Sequence, residues 1–184
     1  MNWVAHILSS EFVWGVVLGL LLSVVVAMVS SWLETRSRRK NVAFLCQNLI
    51  GSVCDLIQNL EDNRDRNRRI EHEFLETITA EVIVYGRNRE YLVALPDETL
   101  RKDVRVFFTR VAAQLAQVNG FLNRFYEADR ALKSEMDSGR KQQHEQAAIA
   151  FLNDAHKACD RLRELLAKRE SITARLNQAS RGIL

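Results

Sequence analysis

The chain has 184 residues and sets 26 Lys and Arg against 23 Asp and Glu, a net charge of +3. That near balance gives no reason to expect duplex nucleic acid as a partner. Three cysteines, one proline and seven scattered glycines leave neither a disulfide framework nor a Gly-rich phosphate loop to build on.

Taken in chain order, the first feature is an apolar run, Phe12 to Leu33, of 22 residues without a charge. As a helix it spans roughly 33 Å, enough to cross the hydrocarbon core of a bilayer. Trp14 and Trp32 lie near its two ends, where indole rings favour the membrane–water interfaces. Arg36, Arg38, Arg39 and Lys40 follow at once, whereas no Lys or Arg precedes Glu34. The positive-inside bias therefore predicts a single-pass protein with its N-terminus outside and everything from Glu34 onward in the cytoplasm. A cleaved secretory signal would have a basic flank before a shorter apolar core, and a buried soluble helix fits poorly with so long an uncharged run.

Within the run, Gly15, Gly19, Ser23, Ala27 and Ser31 recur every fourth position. Small side chains let backbones approach closely in lipid, where the hydrophobic effect gives helices no reason to associate. The row predicts a homo-oligomer, most simply a symmetric one; the alternative is that it faces lipid. Ser23, Ser30 and Ser31 are the polar side chains of the span, and no ionisable group lies in it, so a polar pore is not indicated.

The rest of the chain is long enough for one core and reads as all-α, a cytoplasmic bundle of about four helices. The division expected is 1–33 for the flank and transmembrane helix, 34–41 for a basic juxtamembrane segment and 42–184 for the helical domain. One apolar stripe runs Val42, Cys46, Leu49, Val53, Leu56, Leu60, and a second runs Ile70, Phe74, Ile78, Val82, Tyr85, with Gly86 as its stop. Glu61–Arg69 holds no apolar residue and is expected to be the tip of the first hairpin. Pro96 before Asp97 and Glu98 marks a helix start, and the stripe from Leu100 to Met136 predicts a very long helix, bent near Gly120. Ser138-Gly139 is expected to be the next turn, with Phe151, Ala155, Leu162, Leu166, Ile172 and Leu176 on the return helix. Cys46, Cys54 and Cys159 fall on these helices as small apolar core residues. Thr35–Asn41 is helix-compatible, so the sequence fits both an unbroken helix into the bundle and a tether broken near Ser37.

Signals for chemistry are sparse. His156 and Cys159 share a face, but two ligands without a CxxC or HxxxH companion do not make a metal site. His72 among Glu71, Glu73 and Glu76 reads as a solvated face, and no nucleophile motif is present. No catalytic residue, metal or cofactor is expected, and the chain reads as non-enzymatic.

A basic set around Pro96 is the candidate ligand site: Arg87, Arg89 and Tyr91 before it, and Arg101, Lys102 and Arg105 after it. Guanidinium groups beside a helix N-terminus suit phosphates, because amide donors and the helix dipole add to their charge. Tyr85 and Tyr91 offer stacking surfaces for a base. The competing reading is a solvated face partly neutralised by Glu90, Asp97, Glu98 and Asp103. The set Arg64, Arg66, Arg68 and Arg69, interleaved with Asp62 and Asp65, is the weaker candidate.

With Phe12–Leu33 as anchor and Arg87–Arg105 as a basic stretch in a helical cytoplasmic domain, the layout resembles the small membrane effectors of type III CRISPR defence. The resemblance implies a cyclic oligoadenylate ligand bound across an oligomer, action at the bacterial inner membrane and a role in antiviral defence. The same layout fits a scaffold or accessory subunit that docks a protein partner at the membrane, with lipid and self as further partners.

Overall fold

The computed structural model describes residues 11–67, 70–135 and 137–181, which are almost entirely helical and include no strand. The first helix, α1 (Glu11–Asn67), has 57 residues and is about 86 Å long at the ordinary helical rise. It crosses Thr35–Asn41 without a break: the Thr35 hydroxyl donates to Ser31 O at 2.8 Å, and Arg38 pairs with Glu34 at 2.5 Å. The boundaries at 33/34 and 41/42 are therefore changes of surroundings along one helix. Every side chain from Leu20 to Asn41 is exposed, whereas Ala43, Cys46, Ile50, Val53, Cys54 and Ile57 are buried. A soluble core helix would bury its apolar run. This one leaves it uncovered, and α1 is long and apolar enough to cross a membrane.

The helix α2 (His72–Asn88) returns antiparallel along α1, with Ser52 Oγ donating to Glu81 at 2.8 Å. It runs past Gly86, which does not act as a stop, and tightens into a 3-10 segment, Arg89–Ala94. The long helix α3 (Glu98–Ser134) then runs through Gly120 without interruption and pairs along its length with α4 (Ser138–Glu164). α3 ends at Ser134 and α4 begins at Ser138, so Ser138-Gly139 opens the next helix instead of forming the turn. The Asp137 carboxylate caps α4 by accepting from Gly139 N at 2.8 Å and Arg140 N at 3.4 Å, which draws the serine and glycine into the first helical turn. Met136 lies outside the described residues.

A 3-10 step, Leu165–Lys168, leads into α5 (Arg169–Arg181). Here the chain changes partners: α4 packs mainly on α3, and α5 on α1. The C-terminal half of α1, α2, α3 and the α4–α5 arm thus form the expected four-helix arrangement around one core. Leu100, Val104, Phe107, Val111, Leu115 and Leu122 of α3 are buried in it, facing Leu75 and Ile78 of α2 and Leu162, Ile172 and Leu176 of the last arm. Phe125, Leu132, Phe151 and Leu166 are only half-buried, and Phe108, Ala158, Cys159 and Leu165 are buried in addition.

Of the expected tip, Glu61–Asn67 is the last stretch of α1, leading to the turn into α2, and Arg68 and Arg69 lie outside the described residues. The helix continues through Asn67, and Glu61 and Arg64 are 3% and 9% exposed. They extend the stripe Val53, Ile57, Leu60 by one helical turn, so polar residues stand where periodicity demands inward-facing ones.

Candidate functional site

The antiparallel hairpins bring the end of α2, the 3-10 segment, the start of α3 and the end of α5 to the part of the bundle nearest the apolar span. Asp97 organises this end. One carboxylate oxygen caps α3 by accepting from Thr99 N at 2.8 Å and Leu100 N at 3.2 Å; the other accepts from Arg175 of α5 at 2.6 Å. Arg175 also donates to Asp103, so one guanidinium bridges two acids on α3. The Arg175 hydrogen bond, followed by the Leu100 amide, lowers the Asp97 pKa.

Leu92 and Leu95 are buried and anchor the 3-10 segment to the core. Between that segment and the first turns of α3 lies an open cleft of about 580 Å³, lined by Arg89, Arg101, Lys102 and Arg105 with Glu90, Glu98, Leu92 and Val93. Four cations against two carboxylates leave it net positive. The structure thus brings together four of the six expected residues. Arg87, in the last turn of α2, and Tyr91, 53% exposed, lie outside the cleft lining.

The four cations are not equivalent. Arg101 donates to Leu95 O at 3.1 Å and Val93 O at 3.4 Å, which ties the 3-10 carbonyls to α3. Arg89, Lys102 and Arg105 have no carboxylate partner among the described residues. The α3 amides expected to help bind phosphate are partly taken up by Asp97, so the cleft must rely on side-chain charge. Tyr85 is no stacking platform either. Its ring is buried and stacked on Phe108, with centroids 3.9 Å apart and planes 8° from parallel, while Phe107 meets Phe108 edge-on. Burial raises the Tyr85 pKa, and its hydroxyl has no hydrogen-bond partner among the described residues.

A second polar cluster, at the far end of the bundle, takes Arg64 out of the weaker basic set and turns it inward, onto partners the sequence did not point to. Arg64 donates to Glu61 at 2.7 Å, to Asp160 at 2.8 Å and to His156 O at 3.2 Å. Burial raises the Glu61 pKa against the opposing effect of Arg64, lowers that of His156, and pushes the Cys159 thiol to about 12. Cys46 and Cys54 are likewise buried thiols pushed to about 11, and all three cysteines are unbridged. Among the described residues no group of three or more His, Cys, Asp or Glu is placed to hold a metal ion.

On the apolar run of α1, Ser23, Ala27 and Ser31 are exposed on one helical face, with Ser23 Oγ donating to Leu20 O at 2.8 Å. Gly15 and Gly19 belong to α1, but their surroundings lie outside the described part. Comparison of the chain with protein-family models, curated proteins and solved structures finds no match.

Proposed function

We propose that this protein is a non-catalytic membrane sensor: an anionic, phosphate-bearing ligand enters the cleft at Arg89, Lys102 and Arg105, and the response passes along α1 into the membrane span. The observation that supports this is the shared helix. The core that carries the cleft packs on Ala43, Cys46 and Ile50, and the same helix continues without a break to the exposed run from Leu20. A rigid rod of this kind converts repacking at one end into displacement at the other. A cyclic oligonucleotide is the ligand best matched in charge. A symmetric assembly through Ser23, Ala27 and Ser31 would repeat the cations around an axis, as the ligand repeats its phosphates. With Arg36–Lys40 on its inner flank, the bundle faces the cytoplasm of a bacterial cell, and antiviral defence is the setting this reading suggests.

Titration of the detergent-purified protein with a panel of cyclic oligonucleotides tests it. Micromolar or tighter binding at near-physiological salt, lost in an Arg89→Glu, Lys102→Glu, Arg105→Glu variant, supports the sensor. The second reading, a scaffold docking a protein partner, draws on exposed apolar side chains of the bundle: Phe44 (62%), Ile83 (50%) and Val93 (76%). It predicts no nucleotide binding and retention of a partner that Val93→Glu releases.

A further inference from the structure

We infer that α1 and the end of α5 form a discrete site for the headgroup of an anionic phospholipid, built from Arg36, Arg39 and Lys40 against Ala179 and Ser180. The inference rests on the membrane-anchor reading of α1 and is independent of the cleft. A cavity of about 230 Å³ lies between the two helices, with Trp32 at its apolar edge. Its cations continue the buried face of α1. Stepping back from Ala43 by three or four residues reaches Lys40 and Arg39, then Arg36, then Trp32. Where the bundle's core stripe runs out, the positions that would face a neighbouring helix carry positive charge.

Depth agrees with this assignment. Arg36 stands three residues beyond Leu33, about 5 Å along the axis and within a headgroup layer roughly 5–8 Å thick, while Arg39 and Lys40, at about 9 and 11 Å, lie just beyond it with side chains long enough to reach back. Arg36 stacks over Trp32 with 5.2 Å to the ring centroid, holding the guanidinium at the interface. No carboxylate pairs with Arg36, Arg39 or Lys40 among the described residues, whereas Arg38, outside the cavity lining, is matched to Glu34. On the other wall, Ala179 is buried and Ser180 half-buried, and their small side chains leave the space open. The phosphate of a bound headgroup would bring a negative charge among the three cations and fasten α5 to the anchor, coupling lipid composition to the bundle.

The test uses the full chain. Extraction comes first: release by alkaline carbonate without detergent would overturn the anchor reading and this inference with it. From detergent micelles, native mass spectrometry then measures binding of phosphatidylglycerol, phosphatidylcholine and inorganic phosphate. The expected result is retention of phosphatidylglycerol over the other two, weakened more than tenfold by Arg36→Gln, Arg39→Gln, Lys40→Gln together. Ser180→Glu, which leaves every cation in place and adds an acid to the opposite wall, should weaken it comparably. Equal retention of phosphatidylcholine, or inorganic phosphate binding as well as the lipid, overturns the headgroup assignment. Unchanged binding in Ser180→Glu overturns the built site in favour of diffuse charge, and that variant decides alone if the triple variant loses helical signal. In every such case the cyclic-oligonucleotide titration stands unaffected.

Discussion

Arg64 of α1 reaches Asp160 of α4 at 2.8 Å across 96 positions of sequence, and the same guanidinium holds Glu61, one helical turn away, at 2.7 Å. Glu61 is almost fully buried, and one of its oxygens has no hydrogen-bond partner among the described residues, so Arg64 is the group that makes its charge tolerable. Removing one partner of such a pair strands the other charge in the interior. Arg64→Glu should therefore destabilise the bundle strongly, by about 3 kcal/mol or more, the low end for a buried pair because Asp160 is more than half exposed. In a chain of this size that lowers the thermal midpoint by roughly 6–12 °C, read by circular dichroism in detergent. A variant as stable as wild type would show that the cluster contributes nothing net.

The same cluster sets a pH dependence with opposing parts. Burial, and after it Arg64, lower the His156 pKa from its ordinary 6.5. The unfolded chain then binds this proton more readily than the folded one, so stability is full above that value and falls as pH drops through it. Glu61 is raised from its ordinary 4.5, so the folded state binds its proton the more readily, and acidification toward that value restores stability. His156→Gln should flatten the loss below pH 6.5, and Glu61→Gln should deepen it. Melting both variants between pH 4.5 and 7.5 checks the signs; parallel curves for all three proteins would refute them.

Much of this architecture was legible in periodicity. The stripes on α1 and α3, the Asp97 start and the buried cysteines follow from 3.6-residue spacing and capping chemistry. Within Glu61–Asn67 composition points every side chain to solvent, whereas helical phase turns two of them inward. Glu61 and Arg64 keep the helical phase of Ile57 and Leu60, but Asp160, which pairs with Arg64, lies on an element that sequence distance hides. Ser138-Gly139 looked like a stop because glycine ends helices, yet the Asp137 cap two residues before Gly139 makes it a start. At the cleft, the clustering of Arg89, Arg101, Lys102 and Arg105 was visible in sequence. The use of Arg101 as a tie to two carbonyls was not, because that depends on a 3-10 turn.

That tie separates two kinds of cleft residue. Arg101→Met should loosen the 3-10 segment, raising amide hydrogen exchange around Leu92–Leu95, whatever binds there. Arg105→Met should leave that exchange unchanged while weakening any phosphate ligand tenfold or more, since a charge-assisted contact is worth roughly 1.5–3 kcal/mol. Equal exchange in both variants would contradict the division of roles.

The unbroken α1 makes the most direct mechanical prediction. Spin labels at Ser30 and Phe44 are separated by 14 residues, about 21 Å of axial rise in a continuous helix, and both positions are exposed. The distance distribution should be narrow and centred near that spacing. Ser37→Pro removes a backbone donor and clashes with the preceding turn, which kinks or breaks a helix interior at a cost of about 3 kcal/mol. It should broaden the distribution, while burial of Ala43, Cys46 and Ile50 keeps the bundle folded. If the sensor reading holds, the same substitution should leave ligand affinity intact and abolish its effect on the membrane segment, because the rod is cut between the two. A broad distribution in the unsubstituted protein would mean that the span is only tethered, and coupling through α1 would fail with it.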